Sequence, residues 1–137
     1  MYSPGADPKL LPLGGVPLIG HSINMAKALP QVSKVLVSTD DSEIKRVAQQ
    51  YGAEVIERPE ELAGDKSPEW EAWRHAIKYL EEMGEEFDIF LSLPATSPLR
   101  STHDVQAAIN ALNFQTDAVI TVTPAARSPF FNMVSRE

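Results

Sequence analysis

Short apolar runs alternate along this chain with stretches of helical periodicity, and that alternation limits the possible folds more than any other feature. Val35-Leu36-Val37 is a β-branched run that closes at Ser38-Thr39-Asp40-Asp41. Val55-Ile56 follows Gly52-Ala53 and stops at Arg58-Pro59. Phe87 to Leu93 reads FDIFLSL and stops at Pro94, and Ala118 to Val122 reads AVITV and stops at Pro124. Their length, composition and flanks predict buried strands.

Helical patterns fill the spaces between them. Pro17 suits a first helical turn, and Leu18, Ile19, Ser22, Ile23 and Ala26 repeat with a period of about 3.6 residues. Asp40 or Asp41 is placed to cap a helix burying Ile44, Val47, Ala48 and Tyr51, with Gly52 as its left-handed stop. Ser67-Pro68-Glu69 reads as a helix start, with Trp70, Trp73, Ile77 and Leu80 on one side and Gly84 at the end. Ser101 or Thr102 caps a further helix that turns Val105, Ala108, Ile109 and Leu112 inward. A helix–strand order repeated in this way predicts an α/β fold with a mostly parallel sheet and helices on both faces. Ligands of such sheets bind beyond the carboxyl ends of the strands. The loops there are Ser38–Asp41, Glu57–Ser67, Pro94–Arg100 and Pro124–Pro129.

Composition narrows the function classes. A chain of 137 residues suits a single domain. With 43% hydrophobic and 23% charged residues it is ordinary for a globular protein. Its 12 Lys and Arg against 19 Asp and Glu give a net charge of −7, which argues against nucleic-acid backbone binding. Cysteine is absent, which excludes disulfides, thiolate metal sites and cysteine nucleophiles. No apolar run reaches the roughly 18 residues of a membrane span, and no signal peptide is visible. The expectation is a cytoplasmic protein with no membrane partner.

Among the candidate site residues, Pro94-Ala-Thr-Ser-Pro-Leu-Arg100 is the most informative stretch. Two prolines stiffen it, Thr96 and Ser97 offer hydroxyls, and Arg100 offers a fixed fork of donors. Such a turn suits recognition of a sugar or nucleotide, or it is simply a strand-to-helix turn with a surface arginine. In Ser38-Thr39-Asp40-Asp41 a carboxylate serves either a ligand or the following helix as its N-cap. Arg58 and Lys66 bracket a long charged loop and reach either phosphates and a base, or solvent. Gly14-Gly15 before Pro17 forms a phosphate turn or an ordinary tight turn. Lys9 is the basic residue upstream of it. His21, His75 and His103 have no metal-ligand spacing. Trp70, Trp73 and Tyr79 read as core or interface.

Taken together, the strings PLGGVPLIGHSI, VLVSTDDSEIKRVAQQYGAEVIERPEELAGDKS, LPATSPLR and DAVITVTPAARSPFFNMV resemble the acylneuraminate cytidylyltransferases and the related enzymes that make CMP-activated sugar acids. The resemblance runs from about Lys9 to Val134. It implies a Rossmann-like nucleotide-diphospho-sugar transferase fold. It also implies a reaction of CTP with a 2-keto sugar acid, releasing pyrophosphate with Mg²⁺ offsetting charge, in a family that forms homodimers. Carried over, it implies nucleotide binding by Lys9, Arg58, Asp65, Ser67, Ala95 and Thr96. Sugar-acid binding falls to Ser97, Pro98, Arg100 and Arg127. It assigns no catalytic residue and no metal ligand.

The chain also departs from the family pattern. Leu93-Pro94-Ala95 stands where Leu-Gln-Pro is commoner, and Asp65-Lys66-Ser67 where Asp-Thr is usual. Members open on a strand leading into a basic, glycine-rich triphosphate loop, for which Met1–Pro12 offers only Lys9. The expectation is therefore a single, partial domain lacking its first strand, with a gap between Val35–Val37 and Phe87–Leu93. Two other readings stay open: a non-catalytic binding or regulatory module on the same fold, and transfer of another nucleotide to another sugar.

Overall fold

The structure is a computed structural model that describes residues 7–64 and 67–122. The chain divides into two compact units, Met1–Thr102 and His103–Glu137.

In the first unit a 3-10 turn at Pro8–Leu10 is capped by the Asp7 side chain and leads into β1 (Pro12–Leu13) and β2 (Val16–Pro17). These two strands pair antiparallel, with Leu13 opposite Val16. Gly14 and Gly15, at φ of 59° and 81°, form the two-residue turn between them. Positive φ at both central residues matches the right-handed twist of a hairpin, and glycine reaches it without strain. The Gly-Gly pair is therefore a hairpin turn, the second of the two readings above. His21 holds the hairpin down, its Nε2 lying 2.8 Å from the Leu13 carbonyl.

Helix α1 (Leu18–Ala28) buries Ile19, Ser22, Ile23 and Ala26, the face its periodicity predicts. Next come β3 (Leu36–Thr39), α2 (Ser42–Gln50) and β4 (Glu54–Glu57). Strands β3 and β4 pair in parallel from Leu36↔Glu54 to Thr39↔Glu57, the crossover geometry expected of a helix between parallel strands. Asp41 is the N-cap of α2; its Oδ1 accepts from the Glu43 and Ile44 amides at 2.7 and 2.9 Å. Gly52 ends the helix turn at φ 81°. The core gathers Ile19, Ile23, Ile44, Val47, Ala48 and Ala53, with Leu10, Val37, Tyr51, Val55 and Ala95 packed around them. Gly20 lets α1 approach α2: a Cβ there would lie 2.9 Å from the Tyr51 ring.

Beyond β4 a one-turn helix α3 (Glu60–Ala63) precedes α4 (Glu69–Glu82). Helix α4 ends near Gly84, at φ 73°, as its sequence predicts. Its buried residues are Ala76 and Leu80, whereas Trp70 and Trp73 stay partly exposed. The tryptophans thus do not sit in the core. Trp73 meets Phe90 with ring centroids 6.2 Å apart, and Arg74 lies over the Trp70 ring.

Two expected strands are not formed. Phe87–Leu93 is irregular, and no described segment pairs with it. Ala118–Val122, in the second unit, is likewise without a ladder partner among the described residues, and Ile120 and Val122 are exposed. A strand is a joint property of two segments, because its amides and carbonyls need a neighbour. The observed architecture is mixed α/β with one antiparallel and one parallel pair.

Helix α5 (Thr102–Ala111) starts on the last residue of the first unit and runs on in the second, with Val105 buried. Asn113 closes the turn after it, accepting from the Gln115 amide on Oδ1 at 2.9 Å. Among the described residues no helix is long and apolar enough to cross a membrane.

Candidate functional site

The carboxyl ends of β3 and β4 lie side by side, so the loops leaving them start as neighbours. Arg58 is the first residue beyond β4. Its amide donates to the Thr39 carbonyl at 3.1 Å, which extends the ladder by one bond. Its side chain turns back onto β3: Nε donates to Ser38 Oγ at 3.2 Å and Nη2 to the Ser38 carbonyl at 2.8 Å. Thr39 is buried, and its Oγ1 accepts from the Asp41 amide at 3.1 Å. Asp41 is committed to capping α2 and Glu57 pairs with Lys45, while Asp40 is a further exposed carboxylate at this edge. Of the two roles open to this acidic pair, Asp41 takes the structural one.

The Pro94–Arg100 loop is closed on itself. The Pro94 carbonyl accepts from the Ser97 amide at 3.3 Å and from Arg100 Nη2 at 2.5 Å. Arg100 Nε donates to the Ser97 carbonyl at 2.8 Å, and the Arg100 amide to the Pro98 carbonyl at 3.1 Å. Partial burial pulls the Arg100 pKa down from its ordinary value, yet a guanidinium stays charged at neutral pH. Two contacts tie the loop to the fold: Ser22 Oγ lies 3.4 Å from the Pro94 carbonyl, and Ala95 packs on the core. The arginine fork thus serves its own loop's carbonyls, while Thr96 and Ser97 are exposed and Pro98 is half-buried.

Lys9 stands near this core through its neighbour Leu10, with its ammonium 3.1 Å from Asp7 Oδ2. Ser67 Oγ donates to the Glu61 carbonyl at 3.0 Å, bridging α3 to the start of α4. Asp65 and Arg127 lie outside the described residues. Arg58, Ala95 and Lys9 therefore all attach to one packed unit, each on its own loop or turn. Among the described residues no hydrogen bond joins Arg58 to the Pro94–Arg100 loop. The sequence reading missed Ser38 as the anchor of Arg58 and Ser22 as the anchor of Pro94. Register would have found the first, because Ser38 pairs with Ile56, two residues before Arg58 on the same side of the ladder.

Among the described residues no group of three or more His, Asp or Glu could hold a metal ion. Mg²⁺ commonly binds through one or two carboxylates plus substrate phosphates; at this edge Asp41 is committed to its cap and Glu57 is ion-paired to Lys45, while Asp40 is exposed. These residues do not constitute a metal site. A groove of about 510 Å³ runs along α4, lined by Leu62, Trp70, Arg74, His75, Ile77 and Lys78 among others. Of the segments after β3 and β4 it touches only Leu62 of α3, and neither Ser38–Asp41 nor Arg58 lines it.

Residues 8–132 match the cytidylyltransferase family. The chain belongs to that family. Within it, the chain is similar to post-translational flagellin modification protein B of Campylobacter coli, 36% identical over 120 residues, covering 85% of this chain and 51% of the relative. It is similar to the CMP-N,N'-diacetyllegionaminic acid synthase of Legionella pneumophila, 34% identical over 127 residues, or 92% of this chain and 54% of the relative. It is also similar to an N-acylneuraminate cytidylyltransferase of Escherichia coli, 37% identical over 92 residues, or 66% of this chain and 21% of that protein. The chain spans about half the length of the first and second of these relatives, and less of the third.

Proposed function

We propose that this chain takes part in forming a CMP-activated sugar acid from CTP and a 2-keto sugar acid, with release of pyrophosphate. The observation that carries the reading is the family match over residues 8–132, coupled to an arginine fixed at the carboxyl end of a parallel strand pair. Relatives named for CMP-N,N'-diacetyllegionaminic acid and N-acylneuraminate support the product class. In the reaction the sugar acid's anomeric hydroxyl oxygen bonds to the α-phosphorus and gives up its proton. The bond from that phosphorus to the bridging oxygen breaks, and pyrophosphate leaves. Catalysis of such a transfer is chiefly positioning and electrostatics.

In this reading Arg58 serves the cytidine side. Lys9, Asp65, Ser67, Ala95 and Thr96 complete the nucleotide side. Ser97, Pro98 and Arg127 face the sugar acid. Arg100 acts there through the loop it holds together. Mg²⁺ would supply charge neutralisation at the phosphates, and the described residues alone do not constitute its site. In this reading the domain is Rossmann-like, with β3 and β4 as its parallel strand pair.

One observation favours a second reading, a nucleotide-binding module without turnover. Lys9, the cation available for the triphosphate, is ion-paired to Asp7. Calorimetry with CTP, UTP and ATP in the presence of Mg²⁺, followed by a pyrophosphate-release assay with added sugar acid, tests both. Selective CTP binding with release supports the synthase. Selective binding without release supports the module. A folded chain with no preference for CTP overturns the cytidine reading.

A further inference from the structure

The strongest unassigned feature is the side chain that aims Arg58. Ser38 is the third residue of β3 and is half-buried. It offers Arg58 two acceptors on one edge: Oγ to Nε at 3.2 Å, and the backbone carbonyl to Nη2 at 2.8 Å. The Arg58 amide is bonded to the next residue, at the Thr39 carbonyl. Main chain and side chain of the arginine are thus both held by consecutive residues of β3.

A guanidinium is a planar fork of five N–H donors. With the Nε–Nη2 edge turned to Ser38, the outer edge, carrying Nη1, is directed away from β3. Among the described residues, Nη1 has no hydrogen-bond partner. A planar donor edge suits a pair of adjacent acceptors. Cytosine presents such a pair at O2 and N3, whereas uracil carries a hydrogen on N3 and sets donor against donor.

We propose that Ser38 is a positioning residue for nucleobase selection, acting through Arg58 by fixing which edge of the guanidinium faces the base. The proposal rests on the cytidine reading above and adds to it the residue that sets the selectivity. Ser38 touches no substrate. Its backbone carbonyl would hold Nη2 in any variant, so the hydroxyl is the part that a substitution can remove.

The test uses the full chain with Ser38→Ala and Ser38→Thr, and CMP and UMP as probes. Calorimetry gives the selectivity, and the hydrogen exchange of the Arg58 Nε–H, followed by NMR, reports the Ser38 contact without any ligand. The expected result is a loss of about threefold to tenfold in CMP affinity for Ser38→Ala, the size of one ordinary net hydrogen bond. UMP affinity changes little, so selectivity shrinks. Ser38→Thr keeps the hydroxyl and restores selectivity. The Arg58 Nε–H exchanges slowly in the native chain and in Ser38→Thr, and faster in Ser38→Ala. Unchanged selectivity in Ser38→Ala, or unchanged Nε–H exchange, overturns the proposal. If the native chain binds neither nucleotide, the cytidine reading fails and base selection fails with it. The exchange data then still separate a guanidinium held by the Ser38 hydroxyl from one that is not.

Discussion

Residues 35–58 and residues 85–95 begin from the same kind of sequence, a short β-branched or aromatic run stopped by a polar or proline-bearing loop. In the first, Val37 and Val55 sit across a parallel ladder with a capped helix packed over them. In the second, the apolar run FDIFLSL has no ladder, and Ile89 and Phe90 are 44% and 39% exposed. The second is held at points instead. Glu85 pairs with Lys34 just before β3, Phe90 meets Trp73, and the Pro94 carbonyl takes the Ser22 hydroxyl. Apolar content qualifies a segment to be a strand, and a partner with free amides and carbonyls makes it one.

The contrast can be broken by truncating one isoleucine in each region. Ile56 is 2% exposed, and Ile56→Ala should lower the unfolding free energy by about 3 kcal/mol, through lost burial and a cavity. Ile89→Ala should cost less than about 1 kcal/mol, because the side chain is half in water already. Denaturant unfolding of both variants checks this, and equal losses would show that the two regions are packed alike. A smaller effect is expected at the close approach of α1 to α2. In Gly20→Ala the added carbon would lie 2.9 Å from the Tyr51 ring and 3.0 Å from Val16, costing about 1–2 kcal/mol through overpacking. The same unfolding measurement reads it, and a stabilised variant would mean that the contact relaxes freely. Asp41→Ala should cost about 1 kcal/mol through loss of the α2 cap. Faster amide exchange at Glu43 and Ile44 would localise that loss.

The smallest effect sharpens the description of the second region. Lys34 holds its proton to higher pH than an ordinary lysine, chiefly through the hydrogen bond to Glu85. A raised lysine pKa favours the folded state at neutral pH, and that contribution is lost as pH climbs through the raised value. Glu85→Gln should move the Lys34 titration midpoint down toward the ordinary lysine value, as followed by NMR of the side chain. An unmoved midpoint would mean that the ion pair does not persist in solution.

Much of the first region was legible in the sequence because its signals are local. Asp41 as one of two candidate caps, Ile44, Val47 and Ala48 as the buried face, and Gly52 at the helix end all follow from residue chemistry within one turn. The hairpin at Pro12–Pro17 was not, because its strands are two residues long and begin or end on proline. The apolar side of α4 was legible in part: of Trp70, Trp73, Ile77 and Leu80, Leu80 is buried, while the tryptophans, read as core or interface, are partly exposed and Ala76 is buried instead. Large aromatic rings can lie along an element's edge and still cover apolar surface. At the candidate site, the position of Arg58 beyond a strand was readable. Its orientation was not, since that depends on the β3–β4 register. Arg100 shows the reverse, a residue whose resemblance implied sugar contact and whose fork holds the Pro94 and Ser97 carbonyls of its own loop.

The central claim is that the carboxyl ends of β3 and β4, with the Pro94–Arg100 loop, bind a cytidine nucleotide. Amide shift mapping of the full chain by NMR, titrated with CMP, tests it most directly. The account predicts shifts at Ser38–Asp40, Glu57–Arg58 and Ala95–Ser97, with residues 70–81 of α4 unmoved. Shifts confined to the groove along α4, around Trp70, Arg74 and Lys78, would contradict it and move the nucleotide site to the other set of residues.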